Sequence, residues 1–158
     1  MTATAIQMNH DEYLALTERL ELASDILRAN GQLMQAIARR YYLMFTVALQ
    51  AAERHRVTFR QGSLVDEDRR LTHQALPNIV RALYDSQNSG PVLGGGPGIT
   101  RMGCLRGNEA YRYADQLQKD RKYADYGYGT VPEPYDVAKA DERLGWANHL
   151  IEDLKTLL

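Results

Sequence analysis

A chain of 158 residues with a formal net charge of −1 and 44% hydrophobic residues is most simply one domain, long enough to bury about 70% of the surface its unfolded form exposes. The single cysteine, Cys104, excludes an internal disulfide and a cysteine-rich metal site. The opening MTATAIQMNHDEY lacks the basic flank and long apolar run of a signal peptide, and no later run is long enough to cross a membrane, so a cytoplasmic protein without cofactor or metal is expected.

Asn9 followed three residues later by Glu12 has the form of a capping box, and Tyr13, Leu16, Leu20, Ala23 and Leu27 then recur at steps of three and four. This predicts a first amphipathic helix, which Asn30-Gly31 ends. A second helical pattern follows at once through Leu33, Ile37, Tyr41, Met44, Ala48 and Ala51, and so short a link makes the two helices antiparallel neighbours. Arg39, Arg40, Tyr41 and Tyr42 fall mid-helix, so some of these four must turn toward other helices. Charge changes sign along this part of the chain: residues 1–38 hold five acids against two arginines, whereas residues 39–81 hold eight arginines and no lysine against four acids. Arginine's planar fork suits phosphate or carboxylate, so both a basic face for a polyanion and a solvated face balanced by acidic neighbours fit.

The run ERHRVTFR, residues 53–60, mixes basic and aromatic side chains, a weak nucleic-acid signal. A third helical region is expected from about Asp66 to Tyr84, where Asp66-Glu67-Asp68 suits a helix N-terminus and Pro77 predicts a kink or two short helices around residues 71–76. Residues 86–107 hold six glycines between Gly90 and Gly103, then Gly107, with Pro91 and Pro97. The stretch lacks the preceding strand and the Gly-Lys-Ser/Thr ending of a P-loop, so a mobile surface loop is expected.

A fourth helix is predicted from about Asn108 to Tyr126. Ala110, Ala114, Leu117, Arg121 and Ala124 form one of its faces, with an arginine in an otherwise apolar row. Asp125 lies four residues after Arg121, and Gly127 can adopt the left-handed conformation that closes a helix. A guanidinium facing other helices must be paired or must serve something, either as an Arg-Asp clamp or as a ligand group. A fifth helix is expected to begin near Pro134 and to carry Val137, Ala140, Leu144, Ala147, Ile151, Leu154 and Leu158 on one face. No strand pattern competes. The expected fold is all-α, an antiparallel bundle of four to five helices forming one domain over residues 1–158.

Three pieces resemble the HEPN superfamily of small helical-bundle proteins, in particular its plasmid- and defence-associated branch. Arg40-Tyr41-Tyr42-Leu43-Met44-Phe45 resembles that branch's Arg-small-Tyr-Tyr-Ala-Met-Phe run, Thr72-His73 its Thr-His before the third helix, and Arg121-Lys122-Tyr123-Ala124-Asp125-Tyr126 its Arg-x-x-Ala-Asp-Tyr at the end of the fourth. The order agrees across roughly residues 10–157.

The resemblance implies a homodimer, often encoded with a nucleotidyltransferase-type partner in toxin–antitoxin or defence modules, with many relatives acting as metal-independent ribonucleases. Those ribonucleases carry an arginine and, after four to six residues, a histidine. From Arg121 the corresponding positions are Tyr126, Gly127 and Tyr128. Arg143 to His149 matches literally, but Leu144 follows the arginine and the match lies in the fifth helix, so it reads as accidental. Metal-free RNA cleavage needs a proton handler near neutral pKa and a cation for the phosphorane charge. Tyrosine, with an ordinary pKa of about 10, is a poor base. The leading expectation is a non-catalytic module in which Arg121, Asp125, Tyr126, Arg40 and Tyr42 bind RNA or a nucleotide. One alternative is a divergent endoribonuclease using Arg121 with Tyr126 or His73. Another is a structural polar network of Arg121, Asp125 and Tyr42 in a partner of a nucleotidyltransferase.

Overall fold

The computed structural model describes residues 9–55, 73–88, 107–127 and 135–158. They form five α-helices: α1 (His10–Ala29), α2 (Leu33–Arg54), α3 (Leu76–Asn88), α4 (Gly107–Tyr126) and α5 (Val137–Lys155), with one 3₁₀ turn at His73–Ala75 leading into α3. No strand occurs among the described residues, and the chain is an all-α bundle. The basic-aromatic run beyond His55, the acidic Asp66-Glu67-Asp68 start and the glycine-rich stretch beyond Asn88 lie outside the described residues.

The caps explain where the helices begin and end. The Glu12 amide donates to Asn9 Oδ1 at 2.8 Å and the Asn9 amide donates to Glu12 Oε2 at 3.2 Å, so the capping box satisfies two otherwise orphan donors. Gly31 takes φ +76° and Gly127 φ +66°, the left-handed turns that release the chain after α1 and α4. Pro77 falls in the first turn of α3, where its missing N–H costs nothing, and the interruption expected there is the 3₁₀ turn before it. α5 starts at Val137 and not near Pro134. Asp136 is extended (φ −71°, ψ 173°) and its Oδ1 accepts the Lys139 amide at 2.8 Å, so a side-chain cap sets the boundary. Val137 is consequently exposed, and the inner face of α5 begins at Ala140.

α2 is the central helix, packed against α1, α3, α4 and α5. Thirteen of its residues are buried, Arg40 and Thr46 among them, as contact on several sides requires. Ala36, Ala38, Ala48 and Ala51 are fully buried and let neighbours approach, while Ile37, Tyr41, Met44 and Val47 fill the space between them. α1 lies antiparallel to α2: Ser24 Oγ donates to the Ala36 carbonyl at 2.9 Å, and Arg40 reaches Asp25 and Glu21, one turn further back. α4 lies antiparallel to α3, with Arg81 over the Tyr111 ring and Asp85 against Gly107. α5 runs alongside α2 in the same direction, because Arg28 holds Asp141 near the start of α2 and His55 Nε2 meets the Leu157 carbonyl at 2.8 Å at its end. α2 and α4 thereby present one shared face, which holds the candidate site.

Candidate functional site

On that face α2 presents Tyr41, Tyr42 and Phe45, the 3₁₀ turn presents His73, and the last turns of α4 present Arg121, Asp125 and Tyr126. The His73 ring lies 4.2 Å from Phe45, 5.6 Å from Tyr41 and 5.7 Å from Tyr42, centroid to centroid. The Tyr41 hydroxyl is 3.1 Å from His73 Nδ1. Arg121 Cζ sits 5.4 Å from the Tyr41 ring, 6.0 Å from Tyr42 and 5.9 Å from Tyr126, within cation–π range of all three. Arg39 also lies 5.9 Å from the Tyr42 ring. Gln35 Nε2 donates at 3.0 Å to the Ala124 carbonyl, one of the orphan acceptors at the end of α4, and so fixes that end on α2.

Arg121 is 4% exposed. Its Nε has no hydrogen-bond partner, and among the described residues no carboxylate lies within ion-pairing distance of its guanidinium. The clamp expected from the Arg121–Asp125 spacing is thus replaced by a different bond: Asp125 accepts the Tyr42 hydroxyl from α2. The two side chains diverge because Arg121 turns inward over the tyrosines while Asp125 stays at the exposed edge of α4.

Burial sets the protonation states. It pushes the Tyr41 phenol well above its ordinary range, with the Arg121 charge working against the shift. Tyr42 is raised first by burial and then by its bond to Asp125. His73 is lowered to about 4, chiefly by burial, then by the nearby Arg121, with Asp125 opposing and Lys122 adding to the shift. At neutral pH the cluster therefore holds a fixed cation, a neutral imidazole and protonated phenols.

No protein-family model, no curated protein and no solved structure matches this chain. Among the described residues no group of His, Cys, Asp and Glu could hold a metal ion, and no helix is long and apolar enough to cross a membrane.

Of the residues expected at the site, Arg121, Asp125, Tyr126, Tyr42 and His73 come together. Arg40 does not. It turns to the opposite side of α2, where Nη2 meets Asp25 Oδ1 at 2.5 Å and Nε donates to Ser24 Oγ at 3.2 Å, fastening α1. Tyr41, Phe45 and Gln35 also belong to the site, although none of them was expected there: the sequence places Tyr41 in the core stripe and, with Phe45, in the run that resembles the family. Arg143 and His149 are also separated. Six residues apart, they point about 120° away from each other around α5. His149 pairs with Asp153 at 3.2 Å, while Arg143 Nε lies 3.2 Å from Asp120 Oδ2.

That Asp120–Arg143 pair is a second polar cluster, unanticipated from the sequence. Asp120 is 1% exposed and accepts from Tyr135 at 2.6 Å and Gln116 at 3.0 Å, while Arg143 stacks on Trp146 at 4.1 Å. Burial raises the Asp120 carboxyl, opposed by the two hydrogen bonds and by Arg143. The one signal available was that Ala140, Arg143 and Ala147 also keep the three-four spacing of a buried face. The two charges pair across α4 and α5, although Asp120 Oδ2 and Arg143 Nε form no hydrogen bond there.

Proposed function

We propose that this chain is a HEPN-like helical module that binds RNA or a nucleotide through a phosphate group at the Arg121 cluster, without cleaving it. One observation carries the reading: a buried arginine that no described carboxylate neutralises, set among three tyrosine rings. A buried cation left alone is costly, and a phosphate oxygen is the counter-charge that guanidinium geometry suits best. Arg39 and Lys122 add positive charge at the same end of the bundle, and exposed Tyr126 offers a face on which a base can stack.

The protonation pattern supports binding over cleavage. The guanidinium beside Tyr41 draws the lone pairs of the phenol oxygen toward itself, so the hydroxyl proton goes to His73 Nδ1 and the imidazole proton is assigned to Nε2. In that tautomer His73 is a hydrogen-bond donor whose basic nitrogen is already occupied. Tyr42 spends its proton on Asp125. The cluster thus offers donors to a phosphate and no free base for a 2′-hydroxyl.

The test is a fluorescent single-stranded RNA titrated against the wild type and Arg121→Met, with melting measured on the same preparations. The variant is expected to bind about 10- to 100-fold more weakly, the loss of one or two charge-assisted hydrogen bonds, with a log–log salt slope smaller by about 0.7. Its stability should stay within about 1 kcal/mol, since lost cation–π contacts offset relief of the unpaired charge. Equal binding by both proteins sinks the proposal. RNA cleavage by the wild type in chelator, abolished by His73→Ala, would establish the endoribonuclease alternative instead.

A further inference from the structure

We propose that the outer face of α1 is a docking seam for a basic amphipathic helix of a partner protein. α1 is amphipathic twice. Its inner side carries Tyr13, Thr17 and Ser24 against α2, but Leu22 and Ile26 are 60% and 51% exposed, two of the five large hydrophobic residues exposed among the described residues. Leu22 and Ile26 extend into a heptad pattern. Ala15, Leu22 and Ala29 recur at seven-residue steps, and Arg19 and Ile26 fall four residues after the first two, the d-to-a spacing of a coiled-coil seam. Every one of these side chains is exposed. A second helix laid along this row would find small residues at its ends, the Leu22–Ile26 pair near its middle and Arg19 as a charged position between Ala15 and Leu22.

Charge selects the occupant. Glu18 and Asp25 precede the a residues Arg19 and Ile26, the g position, which meets the flank of a partner helix, and Asp11 holds the same position one heptad earlier, before Glu12. All three are exposed, and Glu21 continues the same acidic margin. Asp25 shares its charge with Arg40, whereas Asp11 and Glu18 have no cation within ion-pairing distance among the described residues. A partner helix with lysine or arginine along its flanks complements this margin, and one with glutamate is repelled. The acidic margin also disfavours an anionic membrane surface.

The probe is a labelled synthetic helix with leucine and isoleucine at its a and d positions and lysine at e and g, titrated against the full chain. A matched helix with glutamate at e and g is the control. Support consists of saturable binding of the lysine helix, at least about tenfold tighter than the glutamate helix. Leu22→Asp together with Ile26→Asp should abolish it, Glu18→Lys should weaken it severalfold, and all variants should melt like the wild type because the changed residues are exposed. Four outcomes overturn the proposal: no saturable binding, equal binding of the two helices, binding unaffected by the double substitution, or a self-association that the double substitution dissolves. The last would assign the seam to a second copy of this chain.

Discussion

Arg40 and Arg121 both bury a guanidinium against α2, and the difference between them is counter-charge. Arg40 keeps Asp25 and Glu21 at the bundle edge and works as a fastener for α1, whereas Arg121 has tyrosine faces around it. His73 reports the consequence in its titration. Its folded pKa of about 4 lies below the ordinary 6.5 because burial and Arg121 both penalise a second positive charge. Above about 6.5 neither the folded nor the unfolded chain protonates this imidazole. As pH falls from there toward 4 only the unfolded chain gains the proton, so this contribution to stability is full at neutral pH and lost on acidification. Thermal melts of wild type and His73→Phe across that window should show a steeper acid loss for the wild type, and parallel curves would mean that the imidazole is accessible to protons in the fold. Arg121, Asp125 and Tyr126 were legible in the sequence because they lie on adjacent turns of one helix. Grouping Arg40 with Tyr42 was not sound, because two residues along a helix turn about 200° and place them on opposite sides of α2.

At the scale of elements, the sequence was clear wherever a cap and a periodic face coincided. Asn9 with Glu12, Gly31 and Gly127 marked boundaries that the chain keeps. Pro134 misled because proline suits a first turn, but a proline only permits a helix start, whereas Asp136 actively fills an amide donor. A contact between elements was beyond sequence reading altogether: Gly107, counted among the loop glycines, opens α4 and packs directly on α3. A Cβ there would lie 2.0 Å from Asp85 Oδ1 and 2.7 Å from its Cγ. Alanine is the better helix former by about 1 kcal/mol, so helix propensity alone predicts that Gly107→Ala stabilises. The close approach works against that gain, because the exposed Asp85 carboxylate must swing aside to admit the methyl, so the net change is expected within about 1 kcal/mol of zero. Removing the obstacle with Asp85→Ala should make Gly107→Ala more favourable, with a coupling of at least about 0.5 kcal/mol in the double-mutant cycle. Strict additivity would show that α3 and α4 do not meet through this pair.

In the whole molecule α1 lies outside the candidate site and packs chiefly on α2. The candidate site is built from α2, the 3₁₀ turn and α4, whereas among the described residues α1 is held by its packing along α2 through Tyr13 and Leu20, by Ser24 on the Ala36 carbonyl, by Arg40 on its acids and by the exposed Arg28–Asp141 pair. It fully buries only Tyr13, Thr17 and Ser24, two of them polar, against thirteen buried residues on α2. Apolar burial supplies most of a helix's protection from opening, and exposed ion pairs supply little. α1 should therefore detach as a unit while the other helices stay folded. Native-state hydrogen exchange is expected to give mid-helix amides of α1 an opening free energy at least about 2 kcal/mol below those of α2. Tyr13→Ala should widen that gap without changing exchange in α4 or affinity at Arg121. Equal protection of α1 and α2 would make the bundle one cooperative unit. In that case, a partner seated on the outer seam of α1 could influence the phosphate site only through the stability of the whole fold.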